Sequence, residues 1–183
     1  VTAKRKVGRK FFISSERLRI LDYNRLIKTT NNLSTTELIT EIENAFIVTA
    51  ISSEDVYSRG LHNLLMYIDD SWYNLQAKEH IINRDNPVES LDTFILSNYI
   101  LKPILGIKSL QVSDDIDFIS GNKGLKGISD SVDSGKHEVG FGLYPVSPKQ
   151  LKDVADANLI MPPKSTWIEP KMRTGLIIYP LND

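Results

Sequence analysis

Cysteine is absent from this 183-residue chain, which excludes disulfides, thiol nucleophiles and thiolate metal sites together. Histidine is scarce. His62, His80 and His137 stand apart, with no close partner at ligand spacing, so the chain carries no zinc motif. Long apolar runs are also missing: none approaches the roughly 20 residues that span a bilayer. The basic start is followed by only Phe11, Phe12 and Ile13 before Ser14, Ser15 and Glu16, too short for the apolar core of a signal peptide. The cytoplasm is the expected compartment. An excess of either charge is lacking as well, with 22 Lys and Arg against 23 Asp and Glu for a net charge of -1. Such a chain has no overall field to gather polyanions or a membrane surface, and nucleic acid is not the expected partner.

What is present is an ordinary globular balance, 41% hydrophobic and 25% charged, far from the composition of a disordered chain. The length fits one domain, 1–183, which opens on a basic arm at 1–10 where Lys4, Arg5, Lys6, Arg9 and Lys10 cluster. That arm reads either as a contact for phosphate or nucleic acid or as a solvated terminus; short basic runs are more commonly the second.

The pattern along the chain alternates elements. RLRILDY at 17–23 alternates polar and apolar residues as a strand with one wet face, ending in Asn24-Arg25. Ser34 followed by Glu37 is a capping box, and Leu38, Ile39, Ile42 and Phe46 recur at helical spacing behind it, leading into a short strand at 46–51. Leu61 to Ile68 and Trp72 to Ala77 flank Asp69-Asp70-Ser71, the pattern of a hairpin. Leu91, Phe94, Ile95, Asn98 and Leu101 share a helical register that Pro103 closes. A strand at 116–119, a weak helix at 122–132 and a buried strand in HEVGFGLYPV follow. Ser147-Pro148 then opens a helix that Asn158 closes, and TGLIIYPL supplies a last strand after an irregular run. The expected class is α+β, or α/β, built as a mixed sheet with helices packed on it.

Five segments, LRILDYNRLIK at 18–28, ILGI at 104–107, DFISGNKGL at 117–125, VGFGLYPVS at 139–147 and VADANLIMPPKSTWIEPKMRTGLIIYPL at 154–181, together resemble the uncharacterised family DUF1015. Members of that family are longer, and their amino-terminal part carries an Asp-Gly-His-His-Arg element resembling that of the ParB and sulfiredoxin-like superfamily, which includes free serine kinases. No such element stands here. The resemblance therefore implies that this chain is the carboxy-terminal part of a longer protein whose missing amino-terminal half would complete any composite site. It also implies, by analogy of fold, phosphoryl transfer to a small hydroxyl compound such as serine, with Mg and a phosphate donor as cofactors.

MPPKSTWIEPK, at 161–171, is the most distinctive run in the chain. Its prolines stiffen the backbone and remove two amide donors. Lys164, Ser165, Thr166, Lys171 and Arg173 offer cations and hydroxyls of the kind that hold phosphate or carboxylate. Glu169 could pair a lysine or act as a base. The bland alternative is that Trp167 and Met161 fill the core and the lysines are solvated. Prolines, not glycines, precede Lys164, so the run is no P-loop.

Asp22, Asn24 and Arg25 stand at an expected strand end, where Arg25 could clamp an anion and Asp22 could take a proton or a metal; a salt-bridged strand terminus is the equal alternative. Asp114, Asp115 and Asp117 precede Gly121, Asn122, Lys123 and Gly124. Asp114 and Asp117 could bind magnesium and the loop amides could meet phosphate, although a solvated acidic turn is commoner.

Three functions follow from these residues. The leading one is a carboxy-terminal domain of a small-molecule phosphotransferase that supplies an anion-binding wall for a phosphorylated metabolite. A non-catalytic ligand-sensing or assembly module and, more weakly, a nucleic-acid-associated protein are the others.

Overall fold

The computed structural model describes residues 19–55 and 60–169. Two short strands, β1 (Arg19–Leu21) and β2 (Tyr23–Ile27), stand where alternation predicts one strand ending at Asn24-Arg25. Asp22 interrupts the run, and β2 continues through Leu26 and Ile27, so Arg25 lies in mid-strand. Helix α1 (Thr35–Ile42) starts as its capping box requires, with Ser34 accepting from the Glu37 amide and the Glu37 carboxylate accepting from the Ser34 amide. Strand β3 (Phe46–Ile51) follows, then the hairpin of β4 (Asn63–Ile68) and β5 (Ser71–Ala77). Its two-residue loop holds Asp69 at φ 45° and Asp70 at φ 55°, the left-handed pair that matches the twist of a tight hairpin.

The helical register from Leu91 yields α2 (Asp92–Leu96), which widens into a π-helical turn at Ser97–Leu101. There the Lys102 amide reaches back to the Ser97 carbonyl at 3.0 Å, just ahead of Pro103, which has no amide to continue the ladder. Strand β6 (Ile116–Ser120), a short 3-10 turn (Gly121–Lys123), helix α3 (Lys126–Asp133) and strand β7 (Val139–Gly142) come next. Helix α4 (Pro148–Asp156) carries the expected Ser147 cap and proline start. Asn158, at φ 54°, follows it. Strand β8 (Trp167–Glu169) emerges from the run expected to be irregular and pairs with β1. The basic arm and TGLIIYPL lie outside the described residues.

The main sheet has the order β3-β5-β4-β7-β2-β6, and β1-β8 forms a separate ribbon. The class is α+β, as expected, but every described strand pair is antiparallel rather than mixed. The reason is a split crossover. Strands β6 and β7 run in the same direction across α3, as a βαβ unit should, yet β2 occupies the slot between them and is antiparallel to both.

Both faces of the sheet are covered. Leu38 and Ile42 of α1 and Ile95, Leu96, Ile100 and Leu101 around α2 pack on the face carrying Ile27, Met66 and Phe141. Ile128 of α3 packs on the other face against Leu26, Leu65 and Ile119. Each such fully buried aliphatic side chain contributes about 1.5–3 kcal/mol. Gly140 sets the α3 spacing, because a Cβ there would meet Ile128 Cγ2 at 2.2 Å. Among the described residues no helix is long and apolar enough to cross a membrane.

Candidate anion site at Arg25 and the MPPKST strap

Period-two alternation puts Tyr23, Arg25 and Ile27 on one face of β2, and the register sets Phe118 of β6 opposite Arg25. Arg25 is fully buried. One Nη donates to the Tyr23 carbonyl and the other to the Lys164 carbonyl at 3.0 Å. The guanidinium carbon lies 4.8 Å from the Phe118 ring centre and 5.9 Å from that of Tyr23. Its Nε has no hydrogen-bond partner. Among the described residues no carboxylate pairs with it, and burial pushes its pKa down from the ordinary arginine value to about 9. A buried cation without a counterion is costly, since buried charges are normally paired.

The strap over this cation is the MPPKST run. Lys164 holds φ at 59°, a left-handed conformation that costs a non-glycine residue roughly 1–2 kcal/mol. That turn aims its carbonyl at Arg25 while its ammonium lies 5.4 Å from the Phe118 ring centre and 5.7 Å from that of Tyr23. Two cations thus share one pair of rings. Trp167 closes the aromatic cluster, its ring centre 5.5 Å from Tyr23 in an edge-on contact.

Other residues of the expected wall are placed differently. Ser165 is buried; its hydroxyl donates to the Pro162 carbonyl at 2.6 Å and lies 3.3 Å from Thr93 Oγ1, so it pins the strap to α2 instead of facing a ligand. Thr166 is half-buried beside it. Glu169 accepts from the Trp167 indole at 3.0 Å, which anchors the ribbon. Lys171 and Arg173 lie outside the described residues.

Asp22 is likewise engaged. Its carboxylate accepts from Asn24 Nδ2 at 2.6 Å and packs directly on Gly121, where a Cβ would stand 1.8 Å from Asp22 Oδ1. Asn24, fully buried, accepts the Leu143 amide at 2.8 Å and ties β2 to the end of β7. In the loop that follows β6, the Gly121 amide donates to Asp22 and the Gly124 amide to Gly121, so neither is turned to phosphate. Asn122 is bonded to Ser120, Lys123 faces a cleft on the α3 side of the sheet, and Gly124 takes φ 65°.

Asp117 is also engaged, and Asp114 takes part through its backbone. The Lys28 ammonium donates to the Asp114 carbonyl at 2.6 Å and lies 3.8 Å from the Asp117 carboxylate, which also contacts His137. Among the described residues no group of three or more His, Asp or Glu could hold a metal. The exposed Asp114 carboxylate and the engaged Asp117 do not by themselves form a cage for magnesium.

Sequence reasoning missed Tyr23 and Phe118. Their signal was present in the alternation: an aromatic two residues before Arg25 shares its face of the strand.

The family model described as Protein of unknown function (DUF1015) matches residues 10–94. That stretch includes LRILDYNRLIK but none of the four later segments that resemble the family. Among the curated proteins nothing matches the chain. Among solved structures, a glutamate-to-glutamine mutant of free serine kinase in complex with AMP is similar over 85% of this chain, with a TM-score of 0.51 and 12% identity. Free serine kinase in complex with AMP is similar over 85% of the chain with a TM-score of 0.48 and 12% identity. In both cases the match spans 55% of the kinase chain. Likeness at such identity concerns the fold alone. Residues 10–94 are thus similar to the family of unknown function DUF1015, and the fold is similar to that of free serine kinase.

Proposed function

We propose that this chain forms the carboxy-terminal part of a cytoplasmic phosphotransferase acting on a small, serine-like hydroxyl compound, and that Arg25 and Lys164 supply its anion-binding wall. One observation carries this reading: Arg25 is fully buried, leaves Nε without a hydrogen-bond partner, and has no carboxylate partner among the described residues. An oxyanion is the group that would satisfy it, since guanidinium and phosphate or carboxylate match in charge and in donor geometry. The fold likeness to a kinase crystallised with AMP is consistent with phosphate as that oxyanion. The anion reaches Arg25 by displacing the Lys164 carbonyl, so binding and movement of the strap are one event. Lys164, already exposed at the same rings, then meets the anion from the solvent side. Chemistry on the bound group belongs to residues beyond this wall.

Calorimetric titration of the full chain with phosphate, pyrophosphate, serine and phosphoserine tests the reading. The phosphorylated ligands should bind, and Lys164→Ala should weaken them about tenfold, the loss of one charge-assisted contact. Lys171→Ala tests the second lysine of the run in the same way. Unchanged affinity in both Lys164→Ala and Arg25→Met would overturn it.

A further inference from the structure

The opposite face of the sheet carries a second constellation that the anion site does not use. His137, only 2% exposed, lies just before β7. Its Nδ1 is 2.7 Å from Ser131 Oγ on α3, and its Nε2 is 3.0 Å from Asp117 Oδ2 on β6. The three residues come from successive parts of the split crossover, so the packing of α3 on β6 and β7 is what joins them.

Chemistry sets the direction of this chain. Asp117 is held ionised, first by its hydrogen bond with His137 and further by Lys28, and an ionised carboxylate only accepts. Nε2 must therefore carry the hydrogen. A neutral ring then has a bare lone pair at Nδ1, so the partner that donates is the Ser131 hydroxyl. Hydroxyl to imidazole to carboxylate is the polarity of an activated nucleophile, its base and the group that orients the base. All three residues line one cleft of about 510 Å³, which Lys123 and Lys136 also line.

We propose that Ser131 is the nucleophile of a second, acyl-transfer site on this face, with His137 as its base and Asp117 as the residue that positions the base. The substrate class is a small carboxylic ester; the cleft carries both Lys123 and Lys136 and the acidic Asp130, so its charge is mixed. Oγ of Ser131 attacks the ester carbonyl carbon as His137 Nδ1 takes its proton, and the carbonyl oxygen becomes an oxyanion. The ester C–O bond then breaks, and the alcohol leaves with the proton from His137. Water attacks the acyl-serine, again giving its proton to His137. The bond between Oγ and the acyl carbon breaks as His137 returns that proton to Oγ, so a carboxylic acid departs and the Ser131 hydroxyl is restored.

Labelling the full chain with a fluorophosphonate tests this site, because Oγ displaces fluoride from phosphorus and leaves an adduct that mass spectrometry can map. The expected result is one adduct on Ser131, absent from Ser131→Ala. His137→Asn should slow labelling about a hundredfold, with imidazole in solution restoring part of the rate, which a merely structural histidine would not show. Asp117→Asn should slow labelling, and Asp117→Glu should recover it. Ser131→Ala removes only a hydroxyl, so its comparison with the wild type decides the matter even if His137→Asn fails to fold. No adduct, or equal adduct in the wild type and Ser131→Ala, would overturn the proposal and leave the three residues as a tie between α3 and β6.

Discussion

Replacing Arg25 by methionine should abolish anion binding at little cost in stability. The fall of the guanidinium pKa to about 9 corresponds to about 5 kcal/mol against the charged form in the folded state, at about 1.4 kcal/mol for each factor of ten. Set against this are two hydrogen bonds from Arg25 to the Tyr23 and Lys164 carbonyls, each worth about 1.5–3 kcal/mol for a charged donor. Methionine keeps a similar length, packs on Phe118 and brings no charge. The two bonds together offset about 3–6 kcal/mol, so the balance lies between a loss of about 1 and a gain of about 2 kcal/mol, at about 2–4 °C in Tm per kcal/mol for a chain of this size. Linkage supplies an independent sign. Below about pH 9 the residue is charged in both states and the folding penalty is constant. Between that value and the ordinary arginine pKa the unfolded chain binds more protons, so wild-type stability should rise with pH by a component that Arg25→Met lacks. Urea denaturation with and without pyrophosphate measures both effects: the ligand should stabilise the wild type and leave the variant unmoved. A loss of more than about 2 kcal/mol in Arg25→Met, with no ligand effect in the wild type, would refute the reasoning and make Arg25 a structural clamp.

Gly121→Ala should cost about 1–3 kcal/mol in urea denaturation, because its Cβ would stand 1.8 Å from Asp22 Oδ1 and 2.5 Å from Cγ; an unchanged midpoint would mean that Asp22 yields freely. Asp117→Asn should lower stability at neutral pH, and the difference from the wild type should vanish in acid, because a carboxylate held below its ordinary range contributes stability that is lost as pH falls through its folded pKa. Tyr67 donates to Asp133 at 2.8 Å, and its phenol is pushed up to about 12, first by burial and then by that bond. Spectrophotometric titration should therefore show a late-ionising component that disappears in Tyr67→Phe. Ser34→Ala should cost about 1 kcal/mol by removing the cap of α1, read from thermal unfolding.

Elements that the sequence made legible share one property: their determinants sit within a few residues of one another. Ser34 and Glu37 cap α1, Ser147 and Gln150 cap α4, and Asp69-Asp70 turns the hairpin. The site was half legible. Arg25 and Lys164 were singled out and do meet, but Arg25 was read as a strand end facing a cleft, whereas it is buried in mid-strand. Ser165 and Glu169 have the chemistry of ligand contacts and spend it on Pro162 and Trp167. The three histidines are isolated along the chain, whereas the partners of His137 come from β6 and α3 and meet it only in the folded sheet.

The sequence alone determined the local grammar, the mixture of helices and strands, and the unusual stiffness of the run around Lys164. Only the tertiary structure decided which charges are buried and which hydroxyls are aimed at a base. Caps and turns close within four residues, so composition and spacing encode them. The Arg25 to Lys164 contact joins residues 139 apart, and it exists because β1 pairs with β8 beside the start of β2. Register and burial of that kind belong to the assembled sheet, and they turn a stiff proline-lysine run into the strap over a buried cation.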